Sequence, residues 1–152
     1  MRSPLELTTV FRARGSKVTP QRQLLFRLLH GNHTHPSAEA LYLVASEQMP
    51  GISLRTVYQT LNDLASMGEL RQITVGTGST RFDPNVEEHH HMVCLVCGDV
   101  RDVYVADQRR PSIDGGGGFD GFDVQSTEIV FRGRCAPCTT TSTRSSPTKE
   151  TS

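Results

Sequence analysis

Two C-x-x-C pairs place the strongest constraint on how this chain can fold. Cys94 and Cys97 form one pair, Cys135 and Cys138 form the other, and together they account for all four cysteines. Residues 1–10 lack the apolar core of a secretory signal, which predicts a cytoplasmic protein in which disulfides are disfavoured. Two such pairs supply the four thiolates of a closed tetrahedral Zn²⁺ site. The sequence therefore predicts a structural zinc that stabilises the fold and carries out no catalysis.

Other interpretations of the cysteines have weaker support. Four buried free thiols would not need matched spacing, and a dithiol redox pair would be expected within a βαβ pattern that this sequence lacks.

The first half of the chain has the pattern of three helices followed by a hairpin. Thr19-Pro20 begins one helix, Ser37 caps a second that runs to about Glu47, and Ser53 caps a third that ends at Gly68. Alternating residues 70–75 and 80–83, separated by a turn, predict two strands. This order is typical of a winged helix.

The second half is expected to contain strands. They are predicted at Met92–Val96, Val100–Val105 and Asp123–Phe131. The four glycines Gly115–Gly118 disfavour a helix, so Pro111–Gly121 is expected to be a loop or a broken helix. The predicted organisation is an α+β chain with one domain at residues 1–84, a second at 85–138, and a disordered Thr-, Ser- and Pro-rich tail at 139–152.

A histidine run suggests a second metal site. In an extended strand His89 and His91 face one side and His90 the other. Together with nearby side chains they form a set of nitrogen and oxygen donors that suits Fe²⁺, Mn²⁺ or Zn²⁺. The full set is His35, Asp83, His89, His91 and Asp102. From spacing alone, three adjacent histidines are more often a solvated patch than a set of metal ligands.

Polar residues on the third predicted helix suggest a nucleic-acid interface. The face away from the apolar stripe carries Arg55, Thr56, Tyr58, Gln59 and Asn62. These side chains could contact base edges and phosphates if the helix lay in a major groove, although an ordinary solvated face has the same composition. Lys17 and Arg22 flank a helix N-terminus and could hold phosphates.

The distribution of charge agrees weakly with a polyanionic partner. The whole chain is neutral, but residues 1–84 hold nine basic and six acidic side chains, whereas residues 85–152 hold seven and ten. The first half is therefore the basic one.

Taken together, these motifs resemble the ferric uptake regulator (Fur) family over about residues 5–138. The matching stretches are Lys17–Arg22, His35–Glu39, Ser53–Leu61, Gly68–Leu70, Arg81–Asp83, His89–Gly98 and Gly133–Cys138. The resemblance rests on their order and spacing rather than on any one of them.

The resemblance implies a homodimeric repressor, not an enzyme, that binds a palindromic operator in double-stranded DNA when its regulatory site holds a divalent metal. It implies a winged helix-turn-helix followed by an α/β dimerisation domain. The four cysteines match the structural zinc ligands. The five His and Asp residues named above match the regulatory Fe²⁺ or Mn²⁺ ligands, which in the family bridge the two domains.

One residue places the chain near the peroxide-sensing branch of the family. An aspartate at Asp102 is similar to that branch, whereas iron-uptake regulators more often carry glutamate. In that branch Fe²⁺ reacts with hydrogen peroxide, and the metal-bound histidines that match His35 and His91 are oxidised. An iron-, zinc- or nickel-responsive repressor is the alternative. Thr127 stands where some members have a histidine of an additional metal site, so we expect that site to be missing or weak.

Two function classes outside the family have less support in the sequence. A zinc hydrolase or deaminase would use an open metal site that activates water beside a glutamate base. The H-x-E signature of deaminases is absent, because Glu87 and Glu88 precede the histidines. A zinc-ribbon interaction module without a DNA role would give no reason for Lys17, Arg55 and Tyr58.

Overall fold

The computed structural model describes residues 1–74, 79–105 and 127–142, and confirms the α+β class. The chain divides into two compact units, Met1–Glu87 and Glu88–Ser152. The division falls three residues after the predicted boundary at Pro84. Within the described ranges, no helix is long and apolar enough to cross a membrane.

The first unit contains four helices and a hairpin. Its elements are α1 (Pro4–Ala13), α2 (Pro20–Leu29), α3 (Ala38–Gln48), α4 (Leu54–Ser66), β1 (Arg71–Ile73) and β2 (Arg81–Asp83). The predicted caps Thr19, Ser37 and Ser53 each accept a hydrogen bond from a backbone N–H in the first helical turn. These bonds satisfy donors that would otherwise lack a partner at the helix start.

Helix α1 was not predicted, so the expectation of three helices before the hairpin was wrong. Its start is a capping box: the Ser3 hydroxyl accepts from the Glu6 N–H, and the Glu6 carboxylate accepts from the Ser3 N–H at 2.8 Å. Pro4 occupies the first helical position, where proline is favoured. The helix buries Leu7 and Phe11, one turn apart, against the rest of the unit.

The core of the first unit lies among the four helices. Its largest fully buried side chains include Leu7, Phe11, Leu25, Phe26, Leu29, Leu61 and Leu64. The rings of Phe11 and Phe26 have centroids 5.0 Å apart and are tilted by 57°, a favourable aromatic geometry. This contact fixes α1 to α2.

We expect Phe11→Ala to lower the free energy of unfolding by about 3–5 kcal/mol, because it removes a buried ring and leaves a cavity. Leu5→Ala on the same helix is the matched control, since Leu5 is 77% exposed and should change stability by no more than about 0.5 kcal/mol. Urea denaturation followed by circular dichroism measures both. Equal effects of the two substitutions would show that α1 does not pack as described.

The hairpin is shorter than predicted. β1 pairs with β2 in antiparallel fashion, with Arg71 opposite Asp83 and Ile73 opposite Arg81. The predicted strands ran from Leu70 to Val75 and from Thr80 to Asp83; Val75 and the turn residues 76–78 lie outside the described residues. The Phe82 N–H donates to the Pro36 carbonyl at 3.0 Å. This bond ties the segment before α3 to β2.

The second unit contains a three-stranded sheet in the order β4-β3-β5. The elements are β3 (His90–Cys94), β4 (Val100–Val103), β5 (Val130–Gly133) and the short helix α5 (Ala136–Ser142). β4 is antiparallel to β3 and β5 is parallel to it.

Several predicted boundaries in this unit were wrong. The strand expected at Met92–Val96 begins and ends two residues earlier, because the chain turns after Cys94 to form the first cysteine pair. The strand expected over 100–105 ends at Val103. The strand expected from Asp123 is seen at Val130–Gly133, and residues 123–126 lie outside the described residues.

Residues 139–142, which were predicted to belong to the tail, are part of α5. Residues 143–152 lie outside the described part of the chain, as do Gly115–Gly118 and the predicted loop 111–121.

Candidate functional site

The four cysteines form one cluster in the second unit. Their sulfur atoms all lie within 4.8 Å of one another, and those of Cys97 and Cys135 are 3.6 Å apart. A tetrahedral zinc with bonds of about 2.3 Å separates its sulfur ligands by about 3.8 Å. The donor set and spacing therefore fit a structural zinc site.

Backbone geometry brings the two cysteine pairs together. Cys94 ends β3 and Cys135 follows β5, so the parallel pairing of these strands places both pairs at the same end of the sheet. Gly98 closes the first pair with a φ of 71°, a conformation that glycine adopts without strain, and its N–H donates to the Cys94 carbonyl. The Leu95 N–H donates to the Gly133 carbonyl at 2.8 Å.

Hydrogen bonds favour a thiolate within the cluster. Backbone N–H groups of Cys135, Cys97 and Val96 lower the pKa of the Cys94 thiol to about 6. The pKa of Cys138 is raised to about 12, because hydrogen bonds among the sulfur atoms, first with Cys135, favour its protonated form. The thiolate is the form that binds zinc, so zinc binding at this cluster would release protons from its protonated cysteines, Cys138 among them.

Two histidines and a carboxylate converge on the sheet of the same unit. The Nε2 atoms of His89 and His91 are 3.0 Å apart. Asp102 Oδ1 lies 3.4 Å from the first and 3.9 Å from the second. The pairing of His91 with Asp102 across β3 and β4 produces this arrangement. Both histidines are buried, whereas His90 is half-buried and accepts a hydrogen bond at Nδ1 from the Ile129 N–H. The predicted alternation of the three histidines is therefore confirmed.

This group has the composition of a metal site rather than of a solvated patch. Two imidazoles and one carboxylate on one face of a site are the donors of the facial triad that holds non-haem Fe²⁺ and leaves coordination positions open. The two imidazoles are buried, so their donor atoms have little contact with solvent.

Glu128 was not among the predicted site residues. Its Oε1 lies 2.8 Å from Nδ1 of His91, on the ring edge opposite the Nε2 that faces His89 and Asp102. No local sequence pattern indicates this contact, because it depends on the parallel pairing of β5 with β3 across 37 positions.

The remaining two candidate ligands lie in the first unit. His35 Nε2 is 3.6 Å from Asp83 Oδ1, and both side chains are buried. The bond from Phe82 to Pro36 and the bridge between Ser37 and Arg81 hold them together. His35 has a φ of 48°, in the left-handed region that costs a side-chain-bearing residue energy. Strain of this kind concentrates at functional sites.

The predicted DNA-contacting face of α4 is exposed. Arg55, Tyr58 and Gln59 are exposed, and Thr56 is half-buried, with its hydroxyl bonded to the helix cap Ser53. The Tyr58 hydroxyl donates to the carboxylate of Glu39 on α3. This bond raises the pKa of Tyr58 and lowers that of Glu39.

The two basic residues near the start of α2 differ in environment. Lys17 is exposed. Arg22 has a side chain only 12% exposed, forms an ion pair with Asp63 of α4 at 2.5 Å and lies over the ring of Phe11. This environment favours a role for Arg22 in joining α2 to α4 over the phosphate contact that was predicted.

The model of the ferric uptake regulator family matches residues 13–126. The chain belongs to this family. The peroxide-responsive repressor PerR of Staphylococcus aureus is 40% identical over 91 residues, which cover 60% of this chain and 62% of that protein. The chain thus matches less than two thirds of that family member's length.

Solved structures of the family share the fold. The ferric uptake regulator Fur of Helicobacter pylori, described with three functional metal-binding sites, aligns with a TM-score of 0.71 at 22% identity, covering 90% of this chain and 92% of that one. The peroxide stress regulator of Campylobacter jejuni aligns with a TM-score of 0.60 at 26% identity, covering 91% of this chain and 100% of that one. Peroxide regulators thus occur among both the sequence and the structural relatives of this family member.

Proposed function

We propose that this chain is a metal-dependent, DNA-binding transcriptional repressor that responds to hydrogen peroxide. The observation that carries the proposal is the convergence of the buried His89 and His91 with Asp102, whose side chain is 13% exposed. Their donor set suits Fe²⁺ and leaves positions at which a small oxidant can bind. The similarity to PerR and to a peroxide stress regulator supports the same conclusion.

The regulatory metal is proposed to take its ligands from both units. His35 and Asp83 offer two donors, and His89, His91 and Asp102 offer three. The family resemblance supports this assignment residue by residue. An ion shared by two units would favour one arrangement of them, which is how binding at this site could control DNA affinity.

Zinc is proposed at the cysteine cluster, where it stabilises the second unit without taking part in sensing. A site closed by four thiolates leaves no position for peroxide or water.

Ferrous iron, when bound, supplies the reactivity toward peroxide. The proposed net reaction places one peroxide oxygen on an imidazole carbon, and the other oxygen leaves as water with the displaced hydrogen. His35 and His91 are the residues that match the oxidised positions of the peroxide-sensing branch. An oxidised imidazole is a poorer ligand, so the metal is lost and the repressor leaves its operator.

DNA recognition is proposed to rest on the exposed face of α4. Arg55 and Gln59 can donate to base edges, and the ring of Tyr58 offers an apolar contact to a thymine methyl. Lys17 is placed to contact phosphate. A homodimer binding a palindromic operator would present this face twice.

The proposal is tested by fluorescence anisotropy on DNA taken from upstream of the chain's own gene. Protein loaded anaerobically with Fe²⁺ or with Mn²⁺ is titrated before and after one small dose of hydrogen peroxide. We expect both metals to promote binding and only the Fe²⁺ form to lose it, with a mass gain of one oxygen on a peptide containing His35 or His91. Catalase added before peroxide is the control.

Two outcomes contradict parts of the proposal. If the Fe²⁺ form still bound DNA after peroxide, the chain would be an iron-, zinc- or nickel-responsive repressor instead. The metal that activates DNA binding would then show which of the three it is. Binding that does not depend on any metal would overturn the regulatory site itself.

A further inference from the structure

We infer that Glu128 is a positioning residue of the regulatory metal site. It fixes the tautomer and the orientation of the His91 ring. The inference rests on the proposed regulatory site and extends it to a residue outside the five ligands. Glu128 Oε1 and His91 Nδ1 are 2.8 Å apart, a full hydrogen bond.

The chemistry of the pair assigns the hydrogen. An ionised carboxylate can only accept, so Nδ1 of His91 carries the proton that is shared with Glu128. In the neutral ring Nε2 then presents its lone pair, on the edge that faces His89 Nε2 and Asp102 Oδ1. The contact therefore selects the tautomer that a metal requires at this position.

The sheet holds Glu128 in place for this role. β5 runs parallel to β3 with His91 opposite Val130, and the His91 N–H donates to the Ile129 carbonyl at 3.1 Å. The Ile129 N–H donates in turn to His90. The strand pairing and the backbone bond from His91 to Ile129 thus fix Glu128 beside His91. The carboxylate is 49% exposed, whereas the His91 ring that its Oε1 reaches is buried.

A carboxylate behind a ligating histidine also strengthens the ligand. It stabilises positive charge on the ring, which makes Nε2 a better donor to a cation, and it reduces the rotational freedom of the ring. Loss of such a partner typically lowers metal affinity by about 10–100-fold.

The test uses the full chain, with zinc retained, and Mn²⁺ alone as the probe. Free Mn²⁺ is measured by electron paramagnetic resonance during titration of the wild type, Glu128→Ala, Glu128→Gln and Glu128→Asp. We expect Glu128→Ala to bind Mn²⁺ about 10–100-fold more weakly. Glu128→Gln keeps an acceptor at the same reach and should recover part of the loss. Glu128→Asp keeps the charge but is one methylene shorter, and should resemble Glu128→Ala.

The controls separate this role from a merely structural one. Zinc content and the thermal midpoint of each variant before Mn²⁺ is added should match the wild type. Glu87→Gln removes the same charge from the exposed segment before β3 and should leave Mn²⁺ affinity unchanged. Wild-type Mn²⁺ affinity in Glu128→Ala would overturn the inference. Full Mn²⁺ affinity in Glu128→Asp with none recovered in Glu128→Gln would overturn it too, because charge alone would then explain the effect. Failure of the wild type to bind Mn²⁺ would instead overturn the proposed regulatory site and this inference with it.

Discussion

Cys135→Ser is expected to abolish zinc binding and to unfold the second unit. Removing one of four thiolates opens a site whose free energy of binding, about 10–16 kcal/mol in small zinc domains, contributes directly to folding. The sheet of this unit has few buried apolar side chains of its own among the described residues, chiefly Val93 and Val100. Without zinc it therefore lacks a core large enough to hold it together.

The measurement combines zinc content by mass spectrometry with thermal unfolding. We expect about one zinc per chain in the wild type and none in Cys135→Ser. The unfolding transition of the helical unit, whose core contains no cysteine ligand, should persist. Thr139→Ala is the matched control, because Thr139 is exposed on the same short helix and its hydroxyl contacts only the Cys135 carbonyl among the bonds described. Stoichiometric zinc in Cys135→Ser would show that the metal binds elsewhere.

Local signals in the sequence predicted local structure well. The hydroxyl caps of α2, α3 and α4 were identified because capping depends on residues three positions apart. The burial of His89 and His91 followed from the alternation of a strand. Helix α1 was missed although Ser3-Pro4 and Glu6 carry the same kind of signal and the helix buries Leu7, Thr8 and Phe11.

Long-range features could not be predicted in the same way. The contact between Glu128 and His91 depends on a parallel strand pairing that no local periodicity encodes. His35 has its left-handed conformation in a loop that the bond from Phe82 to Pro36 ties to β2. The pairing of Arg22 with Asp63 requires α2 and α4 to be packed first. In each case the partner lies tens of residues away, and tertiary structure decides the role of the side chain.

His91→Ala is expected to remove metal-dependent DNA binding. The substitution deletes one proposed ligand and leaves His89 and Asp102 without the third donor of their group. Because loss of an outer partner alone costs about 10–100-fold in affinity, loss of the ligand should weaken Mn²⁺ binding by more than about 100-fold. Anisotropy titrations of the operator with increasing Mn²⁺ should then show no metal response in the range that saturates the wild type.

His90→Ala provides a control that differs from this variant by one position. It removes an imidazole of the same size from the other face of β3, where His90 accepts from the Ile129 N–H. We expect its metal response to stay within about threefold of the wild type, a change of less than about 0.7 kcal/mol. If the two variants lost the response equally, the histidine run would act through sheet stability or bulk charge. The alternation of side chains along β3 buries His91 and turns His90 to the other face. If the metal response survives in His90→Ala and is lost in His91→Ala, this alternation determines which of the two histidines is the metal ligand.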